Sequence, residues 1–503
     1  MMKQHYQQLV QKLEEITHLN GVMSTLSWDQ EVVMPVGAGE ARAKQLSALA
    51  GVIHERMTDP ALGECLQQLS DGSSTHFSKT EQCNIREAQR NYDLETKVPK
   101  RLVQELAELG SRGHSIWVKA RQDNCFADFA PVLKNFLLLK KEWAQCVSPE
   151  LQAYDANIDL FERGTTMAQI TPIFECLKQE LIPLIGRIQN SAKHPDTSFM
   201  QGQFALDKQE ALARKISQDI GFSFDRGRMD VSVHPFCGGS HPTDVRITTR
   251  YKTSNFVESL YSIVHETGHA LYEQGRPYEL GDLPVSESLT MGIHESQSLF
   301  WERMIAQGKP FCSHYLTLFR ATFPENFSAI TVDQFYRALN VCKTDFIRVE
   351  ADEVTYPLHV ILRYEIEKGL FDGSMQVNDL PEIWNELMRK YLGITPPNDT
   401  LGVLQDSHWS GGAFGYFPSY TLGAMYACQF YRPLLKEFPD IEQQIACGNF
   451  APIREWLNDR IHRQGRLFTP QELVVKITGE PLNPDYFIGY VNSKYAEIYD
   501  LAS

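Results

Sequence analysis

Phe256-Val-Glu-Ser-Leu-Tyr-Ser-Ile-Val-His265-Glu266-Thr267-Gly268-His269-Ala-Leu-Tyr-Glu-Gln-Gly275 is the stretch on which the reading of the chain turns. Phe256, Leu260, Ile263, Val264 and Leu271 recur at the spacing of one helical face, and Gly275 offers a stop. On such a helix His265 and His269 lie about one turn apart on the same side. Both imidazoles can then reach one metal ion at about 2.0–2.1 Å. Glu266, next to the first histidine, is placed to take a proton from a water at that metal, whose pKa coordination lowers toward about 7. Gly268 costs the helix about 1 kcal/mol relative to alanine. Its missing side chain leaves room for a neighbour or a substrate.

Two histidines do not complete a catalytic zinc site, which keeps three protein ligands and one open position. Glu295, in His294-Glu295-Ser296-Gln297, is the candidate third. Gly275, Pro277, Gly281 and Pro284 predict a reversal of the chain. A helix beginning near Ser286 or Ser288 would then return antiparallel and carry Glu295 to the metal. Spacing leaves Glu287 and Glu302 open as competitors.

Outward from this centre the chain keeps the helical period. Leu9, Leu13, Ile16 and Leu19 show it at the N-terminus, followed by the stretch from Phe136 to Trp143. The stretch from Ile170 to Ile188 shows it too, interrupted by Pro172 and Pro183. Alternation of period two is confined to Met229–Val233 and Val245–Thr249, which predicts two short strands beside the metal helix. The polar stretch Asp71–Lys79 reads as a surface loop. No linker or repeat divides the chain, so residues 1–503 are expected to form one mostly α-helical domain, with room for two lobes.

A net charge of -15 argues against nonspecific nucleic-acid binding, which needs a positive field. The ten cysteines form no CxxC pair, and their scatter fits a reducing compartment. Neither a signal peptide nor a run of 18 apolar residues is present, so a soluble cytoplasmic protein without a membrane span is expected.

Further motifs accompany the metal helix. They are Leu26-Ser-Trp-Asp-Gln30 with Met34-Pro35, His234-Pro-Phe236, Asp244-Val-Arg-Ile-Thr248, Ile293-His-Glu-Ser-Gln-Ser298, Ile347-Arg-Val-Glu-Ala-Asp352 and Gly402-Val-Leu-Gln-Asp-Ser-His-Trp409. In this order they resemble the thermostable carboxypeptidase Taq family of metallocarboxypeptidases, peptidase family M32, over nearly the whole chain. The resemblance implies His265, His269 and Glu295 as metal ligands and Glu266 as general base. It implies Arg348 as the anchor of the substrate's terminal carboxylate, a task suited to a planar guanidinium. The alternative for Arg348 is an ion pair with Asp352, four residues on.

An oxyanion needs a donor besides the metal. By similarity to the tyrosine-bearing segment of related helical metallopeptidases, Tyr420 is expected to supply it and Tyr416 is the second choice. Both could instead pack in the core. His408 and His234 are expected at the oxyanion or substrate carbonyls, or as supports behind them. His241 and His294 are read as bystanders, the latter because it points about 100° away from Glu295 on their helix. Arg246 is expected to bind a nearby carboxylate, with Asp244 orienting a neighbour.

The resemblance also implies a mainly α, saddle-like fold with a deep groove, a small sheet beside the metal helix, and a homodimer. The expected activity is release of C-terminal residues, one at a time and with broad specificity, from peptides with a free C-terminus. Zinc is expected at the ligands, with Co2+ or Mn2+ as possible substitutes. An open edge of Val245–Thr249 would hold an extended peptide by its backbone. The rivals are an oligopeptidase that cuts internally and a noncatalytic peptide- or metal-binding protein. Glu266 argues against the second, since binding zinc needs no carboxylate there.

Overall fold

The computed structural model describes residues 2–70 and 76–501, so Asp71–Thr75 of the expected loop lie outside the described residues. The rest of that stretch leads into a helix, Lys79–Thr96, which Ser78 and Glu81 close with a reciprocal capping box. The described residues are mostly helical, with one three-stranded sheet among them. The elements that build the site are α1 (Met2–Val32), β1 (Gly227–Val231), β2 (Cys237–His241), β3 (Asp244–Thr249), α2 (Phe256–Gly275), α3 (Met291–Leu299), α4 (Tyr356–Asp372) and α5 (Pro418–Glu437). The proline-bearing stretch expected to be interrupted is one helix, Met167–Gln189.

The sheet has the order β1-β3-β2, with β1 parallel and β2 antiparallel to β3. β1 starts two residues before the expected strand, and β2 was not expected at all. Its sequence, Cys-Gly-Gly-Ser-His, has no β-branched or aromatic residue to announce a strand. β3 is therefore central. Both of its edges are paired, so it has no open edge for a substrate, and that expectation is overturned. β3 buries Val245 and Ile247 toward α2, whose Ile263 and Ala270 belong to the same apolar cluster.

α1 lies against β2, with Ser24 Oγ donating to the Gly239 carbonyl at 2.6 Å. Trp28 of the N-terminal motif is buried between Arg228 and Arg246, register partners on β1 and β3, whose guanidinium carbons stand 4.7 and 4.8 Å from its ring. The expected carboxylate partner of Arg246 is Asp244, bound at 2.7 and 2.8 Å. Thr248 in turn accepts the Phe236 N–H at 3.0 Å, fixing the loop that carries His234. No helix among the described residues is long and apolar enough to cross a membrane, and the ten cysteines are unpaired.

Candidate active site

Asn255 caps α2 by accepting the Glu258 N–H. Its apolar stripe is buried, which aims His265, Glu266 and His269 at α3. The two helices run antiparallel. Going forward along α2 and backward from the turn after α3, His265 meets Glu302, Gly268 meets Ser298, and His269 and Glu273 meet His294. The reversal is thus as expected, but α3 begins at Met291, capped by Thr290, rather than near Ser286 or Ser288.

Glycine decides how close these helices come. A Cβ on Gly268 would stand 2.6 Å from the Ser298 Cα, so its missing side chain makes room for a neighbouring helix. From a different helix, a Cβ on Gly423 of α5 would stand 2.7 Å from Cβ and Cγ of Glu295. Beyond Leu299 the helix widens into a π-helical turn, Phe300–Ala306, which carries Glu302 back to His265.

His265, His269 and Glu295 offer ligand atoms that all lie within 4.8 Å of one another. Nε2 of His265 and of His269 stand 3.8 and 3.4 Å from Oε2 of Glu295. Ligands about 2.0–2.1 Å from one ion at tetrahedral angles stand about 3.3 Å apart, so this set fits a single ion. The two competitors fall to other partners. Glu302 binds Nδ1 of His265 at 2.7 Å, behind the ligand face, and Glu287 binds Arg466 at 2.8 Å.

Burial alone would lower the pKa of His265, but Glu295 and Glu302 raise it to about 9. His269 is lowered to about 4, chiefly by burial. Glu295 is held down to about 2 against the effect of burial by the histidines beside it. Glu266 behaves differently. Among the described residues its buried carboxyl has no hydrogen-bond or ion-pair partner, and it is raised to about 7, first by burial, against the pull of His265, and further by Glu295 and Glu302. An unpartnered carboxyl poised near neutrality is what a general base requires.

A second cluster lies under the tyrosines. Arg348 is buried and does not pair with Asp352, whose carboxylate instead accepts the N–H groups of Lys343, Val354 and Thr355. Its Nε and Nη2 donate to Oδ1 of Asp406 at 3.1 and 2.9 Å, and its Nη1 donates to the Tyr356 hydroxyl at 2.6 Å. A guanidinium has five N–H groups, so two remain. Arg363 of α4, fully buried, donates its Nε to Oδ2 of the same Asp406 at 2.6 Å. Two guanidinium groups thus share one carboxylate. His408 and His359 add no charge at neutral pH, being lowered to about 4 and about 3, chiefly by burial. Against Asp406 alone the two guanidinium groups carry one positive charge in excess, which suits an anionic ligand; Glu367, coupled to Arg363 and raised to about 7 chiefly by burial, is the further acid of this cluster.

Tyr420 lies over Arg348, 4.7 Å from guanidinium carbon to ring centre, with Nε2 of His408 3.4 Å from its hydroxyl. Burial raises its pKa far above the ordinary phenol value, so it stays a donor. Tyr416 packs beside it, rings 5.3 Å apart. Gly423, one turn along α5 from Tyr420, touches Glu295 and so links the two clusters. His234 is not drawn in. The residue is exposed, its carbonyl accepts from Ser232 Oγ, and among the described residues no hydrogen bond, ion pair or ring contact joins it to either cluster. His241 bonds Thr243 at 2.6 Å, at the end of β2. His294, expected to be a bystander, bonds Nδ1 of His269 at 2.6 Å and Glu273 at 2.9 Å, because its flank of α3 faces the same side of α2 that bears His269 and Glu273. Asp406 and Arg363 were not singled out. Asp406 stood in a quoted motif, whereas nothing about Arg363 in the sequence signals its burial.

The chain matches the model of the carboxypeptidase Taq (M32) metallopeptidases over residues 8–495. It is 38% identical to carboxypeptidase 1 of Bacillus subtilis over 97% of both chains. It is 37% identical to thermostable carboxypeptidase 1 of Thermus thermophilus over 98% of this chain and 99% of that protein. A crystal structure of the M32 carboxypeptidase from Deinococcus radiodurans superposes with a TM-score of 0.96 at 35% identity, covering 99% of this chain and 100% of that one. Helical architecture, small sheet, half-buried His-His-Glu cluster and full-length likeness all agree, and the chain belongs to the carboxypeptidase Taq (M32) family, as a hydrolase of the metallocarboxypeptidase class.

Proposed function

We propose that the protein is a zinc-dependent carboxypeptidase that releases residues singly from the free C-terminus of peptides, with Glu266 as general base. The observation that carries the reading is the pairing of two clusters on α5. The His265–His269–Glu295 set lies at Gly423, and an Arg pair short of one counter-ion lies at Tyr420. His265, His269 and Glu295 would hold the ion. When bound, zinc supplies Lewis acidity, which acidifies water and polarises a carbonyl oxygen. Arg348, with its two uncommitted N–H groups, holds the terminal carboxylate, which sets the last peptide bond in register. Glu266 accepts the proton of the attacking water and passes it to the leaving amine. The Tyr420 hydroxyl donates to the developing oxyanion, with His408 behind it and Tyr416 as the second donor.

Anchoring through the terminal carboxylate reads no side chain, which supports broad specificity. A cytoplasmic homodimer is the proposed state, and residues 1–503 the proposed single domain. The experiment is zinc titration of the metal-free protein while release of the last residue from a blocked dipeptide is followed. Activity should rise to a plateau at one zinc per chain and be lost in H265A. Zinc-independent hydrolysis, or an active H265A, would sink the reading.

A further inference from the structure

His265 and His269 are held from behind in different ways. Nδ1 of His265 meets a carboxylate directly, Glu302 at 2.7 Å. Nδ1 of His269 meets another imidazole, Nδ1 of His294, at 2.6 Å, and Nε2 of His294 then reaches Oε1 of Glu273 at 2.9 Å. Glu273 is tethered by Nε of Arg276 at 3.1 Å. The His294 ring is packed against Tyr272, 5.1 Å between centres, and the Tyr272 hydroxyl is fixed by accepting the Leu289 N–H at 3.0 Å.

Each link has a direction. An ionised carboxylate only accepts, so Nε2 of His294 carries hydrogen toward Glu273. A neutral His294 is then bare at Nδ1 and can only accept there. Facing such a neutral His294, His269 carries its hydrogen on Nδ1, which leaves the Nε2 lone pair facing Glu295 and His265. The same tautomer is the one a metal ligand needs. The competing tautomer is a real alternative, because Oε2 of Glu295 stands 3.4 Å from Nε2 of His269 and would accept a hydrogen placed there. That hydrogen bond would block the metal.

We propose that His294 and Glu273 are positioning residues, a relay that commits His269 to the Nδ1–H tautomer and so presents Nε2 to the metal before any metal arrives. The proposal rests on the metal-site reading above. His294 is not one of the three candidate ligands and acts through His269. In its absence His269 can place its hydrogen toward Glu295, and the site has to lose that bond to load.

The test measures zinc affinity of the full-length protein against a chromogenic chelator for wild type, H265A, H294F, H294N and E273Q, with unfolding temperatures of the metal-free forms alongside. The wild type should bind one zinc and H265A should bind far more weakly. H294F, which keeps a planar ring without an acceptor, should bind about 10–100-fold more weakly with little change in metal-free unfolding temperature. H294N should recover much of that loss, since its amide oxygen can accept the Nδ1–H. E273Q, which can donate as well as accept, should fall between. Wild-type affinity in H294F, or H294N as weak as H294F, overturns the relay while leaving the site. Should H294F fail to fold, unchanged affinity in E273Q overturns it. If wild type takes up no zinc, or H265A binds as tightly, the metal-site reading fails and the relay with it.

Discussion

At the scale of single residues, Glu266 and Glu295 show how environment divides two neighbouring carboxyls into different protonation behaviour. Glu295, flanked by imidazoles, is held down to about 2 and stays an anion, whereas Glu266, buried without a partner, rises to about 7. Glu266→Gln should therefore keep wild-type zinc content and lose about 10²–10⁴-fold in kcat, the usual reach of general acid–base catalysis. Retained turnover at full zinc occupancy would remove Glu266 from the mechanism. The tyrosines can be separated in the same way. Tyr420 touches both Arg348 and His408, so Tyr420→Phe should lower kcat by about 10²–10³-fold with KM nearly unchanged, and Tyr416→Phe should cost much less. The reverse order would move the oxyanion donor to Tyr416.

At the scale of elements, the site depends on how closely α3 is gripped. Gly268 and Gly423 let α2 and α5 both approach it, and a Cβ at Gly423 would collide with the aliphatic part of Glu295 itself. Gly423→Ala should cost about 1–3 kcal/mol of stability by overpacking and should also weaken zinc binding, because the ligand is what must move. An alanine variant with wild-type zinc affinity would show that the approach of α5 does not set the ligand's position. The metal helix and its antiparallel partner were legible in the sequence because i,i+4 histidines and a Gly/Pro reversal have local geometric causes, whereas spacing left Glu295, Glu287 and Glu302 open and only the family resemblance singled out Glu295. β2 was not, since Gly238 and Gly239 form a strand only because β3 and α1 lie on either side. Nor was His294. Angles on one helix do not say how wide a face the partner helix offers, and α2 offers both His269 and Glu273. The sharing of Asp406 by Arg348 and Arg363 joins residues far apart in the chain, and no local pattern records it.

For the molecule as a whole, buried carboxyls make stability depend on pH. Glu162 is fully buried beside the start of α3, where it accepts the Gly292 N–H, and burial raises it to about 7 from an ordinary 4.5. A carboxyl whose folded pKa exceeds its unfolded value binds its proton more tightly in the native state. Stability is therefore greatest below the unfolded pKa, falls as pH rises from about 4.5 to about 7, and levels off above, by up to roughly 3 kcal/mol. Glu162→Gln, neutral throughout, should make that part of the profile less steep when unfolding is followed in denaturant across this range, leaving the share of Glu266 and Glu367, both also raised to about 7. An unchanged slope would mean that Glu162 is ionised in the native state.

The central claim is that the spare positive charge at Arg348 reads a free C-terminus. One peptide, offered as the free acid and as its C-terminal amide to the zinc-loaded protein, tests it by mass spectrometry over time. Stepwise loss of single residues is expected from the acid, with the amide nearly inert and Arg348→Met reducing the acid toward the amide's rate. Internal fragments from both forms at similar rates would contradict the account and make the enzyme an endopeptidase.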